Sequence, residues 1–314
     1  MAVIRARHFG CNVSRRSTEH VVPPRTPRVS VLMPAYNAEQ TIADAVASAL
    51  SQTMSDMEVV VVDDGSARPA VDALGSVRDE RVRILRSAAN RGVSAARNSA
   101  LAAARAPVVA QLDADDLWKE THLEGVLGEL DDPRVGLAYA NAEVIGHPRG
   151  ARLWIPSRDS REPSVQSPGV IHPVNDLETL YRGNPIPAPT VVMRTHAARA
   201  AGGYPKWLKV GEDYVLYIRM LRAGWRFAFV DRATAVYRWP EPGRGATYDR
   251  RRHARQELKL LIALIAASPQ DPVLRAQVPR HLREIVETHV PGSVWIARNV
   301  RRMLSVSPRP ADKI

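Results

Sequence analysis

Three aspartates, Asp113, Asp115 and Asp116 of QLDADDLW, crowd the end of an apolar run that starts at Val108. Carboxylates this close repel one another and destabilise the chain unless a cation joins them. Two aspartates separated by one residue point the same way from an extended segment. An oxygen-only pair of that kind suits a hard divalent cation such as Mg²⁺ or Mn²⁺, which keeps waters and shares a phosphate group. Helix capping is the competing reading, because aspartate is favoured at the N-cap and in the first helical turn. A second pair, Asp63 and Asp64 of VVVVDDGS, ends another apolar run, and Glu212 and Asp213 of GEDYVL open an amphipathic stretch. Capping explains each group singly but not their recurrence along one chain.

Apolar spacing gives the elements that position these residues. It predicts a strand over 29–33 closed by Pro34, then a helix over 38–52 with Ile42, Ala45, Val46, Ala49 and Leu50 on one side. Strands over 58–62, 81–85 and 107–112 alternate with a helix over 92–104, followed by a helix near 121–130 and a strand near 135–139. Further on, the pattern predicts a strand over 190–193, a helix over 212–223 and strands over 226–230 and 234–238. Alternating strands and helices with short links imply an α/β fold with a parallel sheet covered on both faces. Ligands bind such sheets beyond the carboxyl ends of the strands. If the strands are neighbours, PAYN, DDGS and DADD open on one crevice.

Of the 314 residues, 45% are apolar and 25% charged, the balance of a globular chain able to form one large domain or two modest ones. Cys11 is the lone cysteine, which excludes a disulfide framework and a cysteine-based zinc site. No apolar run reaches the length of about 18 residues that a spanning helix needs, and the N-terminus lacks the apolar core of a secretory signal. A cytoplasmic location is expected, with peripheral contact at the inner face of an anionic membrane as a further expectation.

The net charge of +11 sits at the ends: residues 1–28 hold six arginines against one glutamate, and 244–314 hold fourteen Lys/Arg against six Asp/Glu. Basic ends meet anionic lipid, RNA or an acidic partner, or serve as solvated arms. The near-neutral body argues against specific nucleic-acid binding. The expected organisation is a flexible basic arm over 1–27, a domain over 28–240 and a basic helical extension over 241–314. In that extension Leu258, Leu261, Ile262 and Ile265 share one stripe. Residues 146–175, dense in Pro, Arg and Ser, are expected to be irregular.

In order and spacing, VSVLMPAYNAEQTI, VVVVDDGS, NRGVSAARNSAL and QLDADDLW resemble the N-terminal half of family 2 glycosyltransferases with the GT-A fold, over residues 28–130. The likeness continues more weakly through VGEDYVLYIRMLRAGWRF to Arg238. It implies a Rossmann-like, mostly parallel sheet flanked by helices, with a nucleotide-sugar half over 28–140 and an acceptor half over 141–240. It also implies inverting, metal-dependent transfer from a UDP-, GDP- or dTDP-sugar to a sugar, lipid-linked or small-molecule acceptor. The setting would be polysaccharide, glycolipid or glycosylated-metabolite biosynthesis, and the cofactor Mg²⁺ or Mn²⁺.

Carried over by position, the resemblance puts Tyr36 against the nucleotide base and Pro34 among the donor-binding residues. Asp64 accepts a hydrogen bond from the base edge, supported by Asp63, and Arg91 or Arg97 meets the base or diphosphate. An exposed helix arginine is the alternative for Arg97. Asp113 faces the ribose and metal, Asp115 ligates the metal, and Asp116 and Glu212 lend support. Asp213 takes the acceptor's proton, although acids opening a helix also favour its dipole without any catalysis.

Two departures stand out. Processive members carry Gln-x-x-Arg-Trp, whereas AVYRW has Ala235 at the glutamine position, which points to transfer of single sugars. Many relatives place a histidine soon after the final Tyr-Arg as a metal ligand. Here Tyr237 and Arg238 lead into WPEPGRG, with no histidine before His253. Glu241 or the substrate fills that place, or the metal is held more weakly. The alternatives are a glycosyltransferase-like protein without catalysis, and a protein that binds nucleic acid or an anionic surface.

Overall fold

The structure, a computed structural model, describes residues 26–75, 77–156, 164–165, 172–182, 184–208 and 210–240, with isolated positions at 259, 262, 271, 272 and 274–276. Largely apolar runs make its first strands. β1 (Val29–Ala35) and β2 (Met57–Asp63) are buried at every residue, as strands covered on both faces must be. Between them, α1 (Ile42–Leu50) buries Ile42, Ala45, Val46 and Ala49. Next come α2 (Ala70–Ala73), β3 (Val82–Arg86), α3 (Val93–Ala103) and β4 (Val108–Gln111).

The second half contains β5 (Leu117–Trp118), α4 (His122–Leu127), β6 (Val135–Ile145), β7 (Arg152–Leu153) and α5 (Leu177–Arg182). β8 (Val192–Arg194), α6 (Thr195–Ala200), α7 (Glu212–Arg222) and β9 (Arg226–Arg238) complete the order.

These strands form one sheet in the order β3-β2-β1-β4-β8-β6-β9-β5, with β7 paired to β6. From β3 to β4 the pairing is parallel, as the alternating pattern predicts. Beyond β4 it is mixed: β8 runs antiparallel to both β4 and β6, β9 is parallel to β6, and β5 is antiparallel to β9. An apolar run carries no direction, so only the point where the chain re-enters the sheet sets its orientation. The strands expected over 226–230 and 234–238 are one strand, β9. Register shifts around Asn141 absorb the polar residues in its middle.

Alternate residues of the buried strands feed two cores. Leu32, Val60 and Val62 pack beneath α3 and α7 with Leu101, Leu216 and Ile218. On the other face Val31, Met33, Val59 and Val61 meet Ile42 and Val46 of α1 and Leu123 and Val126 of α4. One charge enters the parallel half. The buried Glu58 carboxylate accepts from Ser30 Oγ (2.7 Å), Arg83 (2.8 Å) and both the amide and Nε of Arg105 (each 2.9 Å). Burial raises its pKa, but these donors together outweigh that and hold it below the usual glutamate value.

No helix among the described residues is long and apolar enough to cross a membrane. Residues 1–25 of the expected arm, Leu258, Leu261 and Ile265 of the stripe, and Glu241 lie outside the described residues. Ile262 is described and exposed.

Candidate functional site

β2, β1 and β4 are adjacent and parallel, so their carboxyl ends share one edge of the sheet. At the tip of β1, Pro34 is buried in the strand and Tyr36 projects outward, 52% exposed. Asn37 follows at φ 49°, a left-handed conformation that asparagine tolerates better than most residues. Its amide donates to Ser66 Oγ and its Oδ1 accepts from the Ala67 amide, both at 3.0 Å. Asn37 and Ser66 thus lock the PAYN and DDGS turns together. Sequence reasoning passed over both, although an asparagine behind a strand-ending tyrosine is a turn signal.

Asp63 and Asp64 divide their work. Asp63 Oδ1 accepts from the Ser66 amide (2.8 Å), while Oδ2 accepts from the Ala70 amide and from Arg86 (each 3.0 Å). It therefore holds the turn and the start of α2. Asp64 reaches the other way: its Oδ2 accepts from the amides of Arg91 (2.9 Å) and Gly92 (2.7 Å), fixing the turn that leads into α3. Asp64 Oδ1 is buried and has no hydrogen-bond partner among the described residues. Arg91 contributes this amide, and its residue is exposed.

Gly65 makes the turn feasible. It adopts φ +77°, and an added Cβ would lie 2.7 Å from the carbonyl carbon of Ala89 and 2.8 Å from the amide nitrogen of Asn90. Gly65→Ala should cost about 1–3 kcal/mol through backbone strain and push the 89–92 segment away from Asp64. Chemical denaturation would read the first effect and nucleotide titration the second. An unchanged denaturation midpoint would show that the turn relaxes freely.

The β4 tip carries the acidic cluster. Carboxylate oxygens of Asp113, Asp115 and Asp116 all lie within 4.8 Å of one another. Helix capping does not account for them, since Leu117 and Trp118 form β5 rather than a helix and α4 begins only at His122. Trp118 is structural: its Nε1 donates to the Pro189 carbonyl at 2.6 Å. Asp116 Oδ1 accepts from the Arg238 amide (2.9 Å), and its buried Oδ2 has no partner among the described residues. Burial, then the charges of Asp115 and Asp113, drive the Asp116 carboxyl well above its usual value. Asp115 is exposed, yet surrounding protein displaces enough water, with Asp113 adding its charge, to push it up to about 6.

Arg97 answers part of that charge. From the fifth residue of α3 its guanidinium meets both Asp113 oxygens (2.6 and 2.8 Å) and also Glu212 Oε1. It lies over the Tyr204 ring at 5.7 Å and is almost fully buried. Its place is therefore between the acids of β4 and α7, and not on an exposed helix face. Burial alone would lower its pKa, but Asp113, Glu212 and Asp213 outweigh it and fix the positive charge.

Glu212 and Asp213 form the first turn of α7, which Gly211 enters at φ 75°. Asp213 Oδ1 accepts from the Tyr214 amide at 2.7 Å, so the helix-terminus role is present. Burial raises both carboxyls, against the pull of Arg97, and Glu212 reaches about 7. Two acids with raised pKa values beside a crevice fit proton transfer near neutral pH.

A metal fits the β4 tip on its donors. The set is all oxygen, and the buried, unpartnered Oδ2 of Asp116 lies beside the exposed carboxylate of Asp115. Asp113 would serve there while still bound to Arg97. Arg238, whose side chain pairs with Asp44 at 3.2 Å, lends positive charge to Asp115 and Asp116.

A family model described as Glycosyl transferase family 2 matches residues 30–175. Succinoglycan biosynthesis protein ExoO of Rhizobium meliloti (strain 1021) is 31% identical over 216 residues, 68% of this chain and 61% of that protein. The succinoglycan biosynthesis protein ExoU of the same strain is 30% identical over 277 residues, 82% of this chain and 76% of that protein. The chain thus spans less than two thirds of ExoO and about three quarters of ExoU. Among solved structures, the mannosyltransferase PcManGT from Pyrobaculum calidifontis in complex with GDP-Man and Mn²⁺ superposes with a TM-score of 0.59. That match covers 92% of this chain and 78% of the other at 22% identity, a likeness of fold.

Proposed function

This chain belongs to glycosyltransferase family 2, and on that premise we propose that it transfers one sugar from a nucleoside diphosphate sugar to an acceptor hydroxyl, with inversion at the sugar carbon. The acceptor is a sugar or lipid-linked sugar in polysaccharide or glycolipid assembly, in keeping with the names of ExoO and ExoU. Residues 28–240 are the catalytic domain in this reading.

One observation carries it. Arg97 joins Asp113 on the donor side to Glu212, the neighbour of Asp213, and so brings a phosphate-side acidic cluster and a buried base into one site. Asp115 and Asp116, with Asp113, would hold Mg²⁺ or Mn²⁺, which when bound offsets negative charge on the departing diphosphate. Tyr36 offers an exposed aromatic face to the base. The acceptor oxygen attacks the anomeric carbon from the side opposite the leaving group, and the carbon–oxygen bond to the diphosphate breaks. The acceptor's proton passes to Asp213 Oδ2, since Oδ1 is engaged by the Tyr214 amide. Ala235 is in keeping with single transfer over chain synthesis: it is fully buried in β9, opposite Trp118 and Ala142, and offers no side-chain amide there.

Asp115→Ala is the test. Calorimetry with a nucleoside diphosphate should show Mn²⁺ strengthening binding to the parent protein and leaving the variant's affinity unchanged, a difference of more than about tenfold in Kd. Equal response to Mn²⁺ in both proteins would remove Asp115 from the metal site.

A further inference from the structure

Beneath the acidic cluster the interior stays polar where an apolar pair would pack as well. Val109 of β4 belongs to the core under α3 and α7, whereas Ala110, Leu112 and Ala114 belong to the opposite one. By alternation Gln111 and Asp113 follow Val109 onto the α3 and α7 side. On α7, Asp213 and Tyr217 are four residues apart and so share one side of the helix. Tyr217 Oη donates to Gln111 Oε1 at 3.0 Å, with both residues buried. Burial, then the charge of Asp213, holds the Tyr217 hydroxyl well above its ordinary pKa, so it stays a neutral donor. Gln111 Nε2 is buried with no partner among the described residues, and the same holds for Tyr204 Oη and Arg97 Nε. A half-satisfied buried amide is a burden on stability, which apolar side chains of similar shape at both positions would remove. Stability therefore does not account for the pair.

We infer that the bond between Gln111 and Tyr217 is a positioning strut for the transfer reaction, setting the angle at which Asp213 faces the acidic tip of β4. The inference rests on the roles given above to Asp113, Asp115 and Asp213, and adds the residues that hold them in register. Arg97 makes a first link between the two elements, through Asp113 and Glu212. Gln111 stands two residues before Asp113, about 7 Å along an extended chain. Tyr217 stands five residues after Glu212, about 7.5 Å along a helix. The two spacings match, so the second link lies roughly one helical turn deeper than the first. A single link is a pivot about which α7 can swing, whereas two links this far apart fix separation and angle together. Without the deeper one, a small rotation carries Asp213 away from the acceptor hydroxyl while the donor contacts on β1, β2 and β4 stay in place. The strut thus acts on turnover and not on donor affinity.

The test compares Tyr217→Phe with the double variant Gln111→Leu/Tyr217→Phe in the full chain. Turnover is read as Mn²⁺-dependent release of nucleoside diphosphate from whichever of UDP-glucose, UDP-N-acetylglucosamine, GDP-mannose and dTDP-glucose the parent uses best. Tyr217→Phe deletes only the hydroxyl and keeps the ring against Phe227, their centroids 6.4 Å apart. Its kcat should fall at least about tenfold, as misplacement of a reacting group does, with Kd for the nucleoside diphosphate and Mn²⁺ within about twofold of the parent. The double variant removes both polar partners, so its urea midpoint should return to the parent value or above while kcat stays low. Recovery of kcat together with the midpoint would make the bond merely structural and overturn the proposal. So would an unchanged kcat in Tyr217→Phe, or a loss confined to nucleotide affinity. Should the double variant fail to fold, Tyr217→Phe decides alone by the same split between kcat and Kd. All of these outcomes leave the transfer reading intact; a parent that releases no nucleoside diphosphate from any of the four donors would end that reading and the proposal with it.

Discussion

Asp213→Asn should lower kcat by about 10²–10⁴-fold, the usual contribution of a positioned general base, while leaving Kd for nucleoside diphosphate and Mn²⁺ within a few-fold of the parent. The substitution keeps shape and the hydrogen bond from the Tyr214 amide, and removes only the capacity to take a proton. Its pH signature is equally direct. A base works only when ionised, and burial raises the Asp213 carboxyl above its ordinary 3.8. The acid limb of parent activity should therefore lie above that value and disappear from the residual activity of the variant. A stability effect of opposite sense accompanies it. A carboxyl with a raised folded pKa favours the folded state at low pH, and that contribution fades as pH rises through the folded value. Parent and variant should thus differ in stability least in acid and most near neutrality, with the variant the more stable. Loss of nucleotide binding in Asp213→Asn would assign the residue to donor binding and not to proton transfer.

The second large effect is on folding. Arg97→Gln removes the guanidinium that pairs with Asp113 and Glu212 and leaves both carboxylates facing each other, with Glu212 buried. Breaking a buried pair by removing one partner costs about 3–5 kcal/mol, to be read from urea denaturation. The deficit should shrink below neutral pH, where buried Glu212, already raised to about 7, takes up a proton in the folded state. Arg97→Lys should recover little. An ammonium group cannot span both oxygens of Asp113 and Glu212 at once as the planar fork does. A loss below about 1 kcal/mol would mean that water or a neighbouring cation replaces the guanidinium.

How far the sequence foretells this arrangement varies from residue to residue, for physical reasons. β1, β2 and β4 were legible because a strand buried on both faces must be largely apolar, and their ends are marked by Pro34 and Asn37, by Asp64 and Gly65, and by the DADD run. That these tips share one edge follows from parallel pairing, which the alternation with helices implied. The position of Arg97 was not legible. A helix arginine reads the same whether it meets a ligand or a buried acid more than a hundred residues away, and its link to Glu212 arises only when α7 packs beside α3. The short elements β5 and β7 escaped because a two-residue strand has no periodicity to detect. β9 looked like two strands because bulges let charged Asp231 and Arg232 sit inside one. Asp63 carried the same signal as Asp64 but is spent on the turn, a division decided by which way each side chain leaves the strand.

The tie between α3 and the opening turn of α7 has a consequence for how such a protein can diversify. The proposed base, Asp213, directly follows Glu212, which Arg97 ties to α3 on the nucleotide side. In the proposed reading, that tie runs through α3 and α7 alone and can stay fixed while exposed acceptor-side positions change. A lineage built on this plan is free to try new acceptors while its reactive apparatus is inherited unchanged.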